Sequence, residues 1–164
     1  MSSGTITGNT ANGNQGFGYA RGAGVLIDTG STHTISGGSI TGNTSASYGA
    51  SDVYVDSSVN LTGDATIGNI AIWFAAQGIR LTGQFSGSAT IDLERNGASV
   101  LSDFNTDFNL KAIITGSGYT LQTADINRFS LGTFRNNTGT SFTISASHRL
   151  ENTGANIGRL VTLP

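Results

Sequence analysis

Two aspartates stand at equivalent places in this chain. Asp28 closes the run Val25-Leu26-Ile27-Asp28, and Asp56 closes Val53-Tyr54-Val55-Asp56. If the two runs are strands stacked side by side, their carboxylates lie about 5 Å apart, one strand spacing. Paired carboxylates at that separation suit glycoside hydrolysis with retention, and they also suit a calcium ion, which prefers oxygen ligands. The plainer reading is that each Asp accepts a backbone hydrogen bond in the turn that follows, Thr29-Gly30 or Ser57-Ser58. A lyase-type site needs a cationic base as well. Arg80 and Lys111 are candidates by type, but no spacing ties either of them to the aspartates.

The other chemistry-bearing residues are scattered. Phe17, Tyr19 and Arg21 lie in the glycine-rich stretch 11–23, which reads as a loop folded over the outside or as a sugar-stacking platform. Trp73 sits in the most apolar run, Ile70–Ala76, expected to be a buried strand or to present Trp73 at a contact surface. Asp92 and Glu94 share one face of an alternating strand and are expected to face solvent. His33 and His148 show no metal-ligand spacing and read as surface residues. Neither a nucleophile elbow nor a phosphate-binding loop is present.

Composition narrows the classes. Gly, Ser, Thr and Asn account for 79 of 164 residues, and charged residues for only 11%. Cysteine is absent, which removes disulfides, thiolate metal sites and a cysteine nucleophile. The net charge is -2 with cations spread singly, so the basic stripe that nucleic acid needs is missing. No apolar run approaches the ~20 residues of a membrane-spanning helix.

The elements that must position these residues are short strands. Gly4-Thr5-Ile6-Thr7-Gly8-Asn9-Thr10 recurs as Gly38-Ser39-Ile40-Thr41-Gly42-Asn43-Thr44, with a shortened echo at Thr66–Asn69. The aliphatic residue points inward, the hydroxyl outward, and the glycine lets the chain turn. Related positions recur at uneven separations, widest from Thr5 to Ser39, shorter from Val25 to Val53 and from Ile35 to Leu61, and shortest from Leu61 to Leu81. That uneven spacing fits parallel stacking of turns with loops of different length, rather than an antiparallel meander or a propeller. Ile6, Ile27, Ile35, Ile40, Val53, Val55, Leu61, Ile67, Leu81 and Ile91 are the expected core. After residue 97 the repeat fades. Strands are expected at Tyr119–Gln122 among others, and a helical turn from Thr123, its N-cap.

The run Gly37–Thr44 followed by Val53–Asp56 resembles the repeats of bacterial extracellular right-handed β-helix proteins, with Gly-Gly-x-Ile-x-x-Asn units like those of polymorphic outer-membrane proteins. Gly118–Leu121 and Asp125–Phe129 are similar to units that follow such arrays. The resemblance implies a bacterial extracellular or cell-surface location. The chain is therefore expected to be all-β: a right-handed parallel β-helix over 1–97, with a less regular capping region over 98–164. The expected function is a non-enzymatic structural or adhesive module, with carbohydrate as one candidate partner and no cofactor beyond a calcium option. The alternative is a polysaccharide-degrading β-helix enzyme, a lyase or glycoside hydrolase, using Asp28 and Asp56 with an Arg or Lys such as Arg80 or Lys111. The first repeat begins at Gly4, so the edge of the first turn is expected to be covered by further repeats, by another subunit stacked end to end, or by a cap such as the loop 11–23.

Overall fold

The computed structural model describes residues 1–12, 22–45, 52–73, 78–95, 111–115, 118–136, 141–154 and 157–164. The first pass of the chain contains β1 (Thr5–Ile6), β2 (Thr10–Ala11), β3 (Val25–Ile27) and β4 (Thr32–Ile35). A second pass repeats the order with β5 (Ser39–Ile40), β6 (Thr44–Ser45), β7 (Val53–Val55) and β8 (Ser58–Gly63). Longer strands then take over: β9 (Thr66–Trp73), β10 (Gly78–Phe85), β11 (Ser88–Arg95) and β12 (Lys111–Thr115). The last part holds a short helix α1 (Thr123–Ile126), β13 (Phe129–Asn136), β14 (Ser141–Thr143), β15 (His148–Asn152) and β16 (Ile157–Thr162).

The protein is all-β, and its sheets are built mainly of parallel pairs. One sheet runs β1-β5-β9-β11-β13-β14, with β3 and β7 joined beside β9; a second runs β4-β8-β10-β12-β16-β15; β2 and β6 form a small third. The register reproduces the spacings in the sequence. Thr5 pairs with Ser39, Val25 with Val53, Thr32 with Ser58 and Ser58 with Gly78, all in parallel. Among the described residues the pairing turns antiparallel only at β14, β15 and β16.

Columns of like residues fill the space between the sheets. Ile6, Ile40, Ile67, Ala89 and Phe129 make one column, and Ile27, Val55, Ile72, Leu93 and Phe134 another. Nine of the ten expected core residues are buried; Ile6, at the end of its column, is half-buried against the core. Each inward side chain meets the residue one strand spacing away, so burial and register enforce one another.

Four details differ from expectation. The echo Thr66–Asn69 runs on into Ile70–Trp73 as one strand, β9, which passes Gly68 as a bulge instead of turning. Residues Tyr119–Gln122 form no strand. The N-cap of α1 is Gln122 rather than Thr123, because Gln122 and Asp125 form a reciprocal capping box. His148 is buried, with 7% of its surface exposed, since β15 turns it inward; His33 is exposed as expected.

Candidate functional site

Asp28 and Asp56 follow the paired residues Ile27 and Val55, so they occupy adjacent rungs. The amide of Asp56 donates to the carbonyl of Ile27 at 2.8 Å. Asp28 is exposed, and its Oδ1 accepts the amide of Thr29 at 2.8 Å, the turn-closing role. Arg80 pairs in register with Asn60 and Ile114 on the second sheet, not with the rung of the aspartates. Lys111 opens β12 opposite Arg159. Phe17, Tyr19 and Arg21 lie outside the described residues. Trp73 ends β9 half-buried, its ring centroid 6.5 Å from that of Tyr54.

The densest polar constellation is a different one. Asn9 donates both its amide and its Nδ2 to Oδ1 of Asn43, at 3.1 and 2.9 Å. Asn43 does the same to Oδ1 of Asp52, at 3.0 and 2.8 Å. The other oxygen of Asp52 accepts the amide of Asn69 at 3.0 Å, and Nδ2 of Asn69 donates to Asp92 at 2.8 Å. Asp92 then accepts the amide of Thr133 at 2.7 Å and lies 3.4 Å from the guanidinium of Arg135. A single polar ladder thus crosses the stack from the first pass to β13.

Two glycines make room for it. Gly68 is the extra residue in β9 where Ala89 pairs with Ile67 and Thr90 with Asn69. A Cβ there would lie 2.1 Å from Oδ2 of Asp52. Gly132 is the counterpart in β13, where a Cβ would lie 2.1 Å from Oδ1 of Asp92. At each bulge a carboxylate caps the amide just after the glycine. A bulge leaves such a group out of the strand ladder, and burial makes an unpaired amide expensive.

The expectation that Asp92 and Glu94 face solvent is corrected: they are 3% and 2% exposed. Alternation places them on the outer face, which is right, but that face is buried too. Tyr54 and Ala71 on the same face are fully buried and form a second small cluster with Trp73. Sequence reasoning attributes the repeated Asn only to turn geometry and its own backbone. Asn9 and Asn43 do reach the carbonyls of Thr7 and Thr41, each at 3.4 Å, but the shorter bonds run from Asn9 to Asn43 on the next pass and from Asn43 to Asp52 within its own pass. The signal that could have found this is the Asn shared by Ile6-Thr7-Gly8-Asn9 and Ile40-Thr41-Gly42-Asn43.

A second polar node lies in the last part of the chain. Asp125, 1% exposed, accepts the amides of Phe85 at 3.1 Å and Gln122 at 2.9 Å and the hydroxyl of Tyr119 at 2.7 Å. It ties α1 to the end of β10. Burial and this carboxylate together push the Tyr119 hydroxyl up to about 12. Nearby, β14 covers only the second half of β13. Beside the uncovered half lies an open groove of about 550 Å³, lined by Phe129, Leu131, Leu150 and Leu163 with His148 and Arg149. Burial lowers the pKa of His148 below its ordinary value.

Among the described residues no group of three or more His, Cys, Asp or Glu side chains could hold a metal ion, and no helix is long and apolar enough to cross a membrane. No protein-family model, curated protein or solved structure matches the chain.

Proposed function

We propose that the chain is a non-catalytic structural or adhesive module of a secreted or cell-surface bacterial protein. It is a right-handed parallel β-helix whose last part, after residue 97, serves as a cap. The observation that carries this reading is the polar ladder. Its buried carboxylates, Asp52 and Asp92, are engaged by backbone amides and by neighbours in the stack. A catalytic carboxylate needs access to substrate, whereas these serve the stack itself. The parallel pairs at the separations of the repeat support the solenoid, and right-handedness is the hand that parallel crossovers adopt. Localisation rests on the resemblance of the repeat to surface arrays.

The enzyme reading keeps one observation in its favour, the adjacent rungs of Asp28 and Asp56. Against it, Arg80 lies in register with Asn60 rather than with either aspartate. A screen on acidic and neutral glycans decides between them. The structural reading expects no cleavage product with any glycan. Cleavage that disappears in Asp28→Asn or Asp56→Asn would overturn it.

A further inference from the structure

The polar ladder and the sheets share a feature at their first rung. Among the described residues, β1, β2 and β3 each pair on one side only, with β5, β6 and β7, while β4, paired with β8, carries on its other edge just Met1, whose amine donates to the Thr34 carbonyl at 2.6 Å and whose carbonyl accepts the Ser36 amide at 2.8 Å. Their other edges form one surface at the head of the stack. The core ends there in Met1, Ile6 and Val25, all only partly buried. The ladder ends there in Asn9. Among the described residues no donor reaches its Oδ1, although the equivalent atom of Asn43 takes two bonds from Asn9. Thr10 likewise ends a hydroxyl row, its Oγ1 lying 3.1 Å from that of Thr44.

We propose that this head surface is a docking edge for one further pass of the chain's own repeat, with the unit Gly-x-Ile-Thr-Gly-Asn-Thr running parallel to β1. The second pass shows what the contact looks like, because it presents the same seven-residue unit to the first with only Ser39 in place of Thr5. The incoming isoleucine covers Ile6. The incoming asparagine donates its amide and Nδ2 to Oδ1 of Asn9, repeating the Asn9–Asn43 step, and the incoming threonine meets Thr10. A strand of another composition would pair with the backbone edge but would leave Ile6 uncovered and Oδ1 of Asn9 unmet. Among the described residues the far end of the stack shows no equivalent row of open parallel strands. There β14 covers half of β13 and the antiparallel pair β15–β16 closes the second sheet. The inference rests on the solenoid reading above.

The test is a chain in which a copy of residues 38–64 replaces residues 1–3, so that the added pass leads into Gly4 in the phase of the native repeat. Amide exchange is measured by NMR and compared with the parent chain. The expected result is exchange at least tenfold slower for Thr5–Ile6, Val25–Ile27 and Thr32–Ile35, with cross-strand contacts from the added isoleucine to Ile6. A control carries Lys and Ala in place of the added isoleucine and asparagine. It should lose the protection. Unchanged exchange in β1, β3 and β4 while β5 and β7 remain protected would overturn the proposal and leave the solenoid intact. Equal protection in the control would also overturn it, since the edge would then take any strand. Loss of protection in β5 and β7 of the parent chain would instead sink the solenoid reading.

Discussion

Asp28 and Asp92 each follow a buried isoleucine of a strand, Ile27 and Ile91, yet the protein uses them in opposite ways. Asp28 is exposed and serves the amide next to it in sequence. Asp92 is buried and serves an amide of β13 far along the chain, with a bond from Asn69 on its other side. The difference lies in what the neighbouring rung offers. Beside Asp28 the chain turns, so its own backbone supplies a donor. Beside Asp92 the next strand bulges at Gly132, and the bulge releases an amide that nothing else in the ladder can accept. Residue type therefore says little about the role of a carboxylate in this fold. The register decides it.

The comparison is broken most directly at Asp92. Asp92→Ala leaves the Thr133 amide, the Asn69 side chain and the Arg135 guanidinium without their acceptor. The Arg135 side chain is 35% exposed and water can take up its charge, so the loss falls on the Thr133 amide and the Asn69 side chain, about 1–3 kcal/mol for each group left unsatisfied. Urea unfolding of the variant should show a loss of that size. A loss under about 1 kcal/mol, no more than one ordinary hydrogen bond, would mean that the ladder is not what holds β13 on β11.

The bulges give a smaller and sharper test. Gly68→Ala puts a methyl group against the Asp52 carboxylate and should destabilise by about 1–3 kcal/mol, the range for overpacking. The clash is specific, so the same substitution should lose much of its effect when Asp52 is already Ala. A double-mutant cycle reads this directly. Strict additivity would place the strain elsewhere.

Tyr119 tests the second node. Its hydroxyl is pushed up to about 12, against an ordinary value of 10.0. Below pH 10 it is protonated in both the folded and unfolded chain and contributes no pH dependence. Between pH 10 and about 12 the unfolded chain releases this proton while the folded chain keeps it, so stability falls as pH rises through that window. Denaturant midpoints measured across the window should decline in the parent chain, and the decline should be shallower in Tyr119→Phe. An identical decline in the variant would show that Tyr119 does not set it.

Much of the fold is legible in the sequence, and for a physical reason. The repeat Gly-x-Ile-Thr-Gly-Asn-Thr sets the separation of stacked positions, and a period-two strand then has to face its isoleucines inward. The pairs Thr5–Ser39, Val25–Val53 and Thr32–Ser58 are that arithmetic in three dimensions. The polar ladder is not legible. Alternation at Ile91-Asp92-Leu93-Glu94 identifies two faces but not whether the outer one is wet, and here both are covered. The cap of α1 escapes a sequence reading because Gln122 and Asp125 cap each other, a pairing less conspicuous than a Thr before an acidic turn.

The smallest effect belongs to Asp28, and it bears hardest on the comparison. Asn at this position keeps an Oδ1 that can accept the Thr29 amide, so Asp28→Asn should stay within about 0.5 kcal/mol of the parent, as exposed substitutions do. Asp28→Ala loses that acceptor, but water can take its place at an exposed turn. Its loss should therefore still be about 0.5 kcal/mol, well below that of Asp92→Ala. Paired urea unfolding curves resolve the ordering. A loss above about 2 kcal/mol in Asp28→Asn, far outside the range of exposed substitutions, would mean that the charge itself matters at this corner. Asp28 would then act with Asp56 on the adjacent rung, and the contrast between a turn-closing and a stack-holding aspartate would fail.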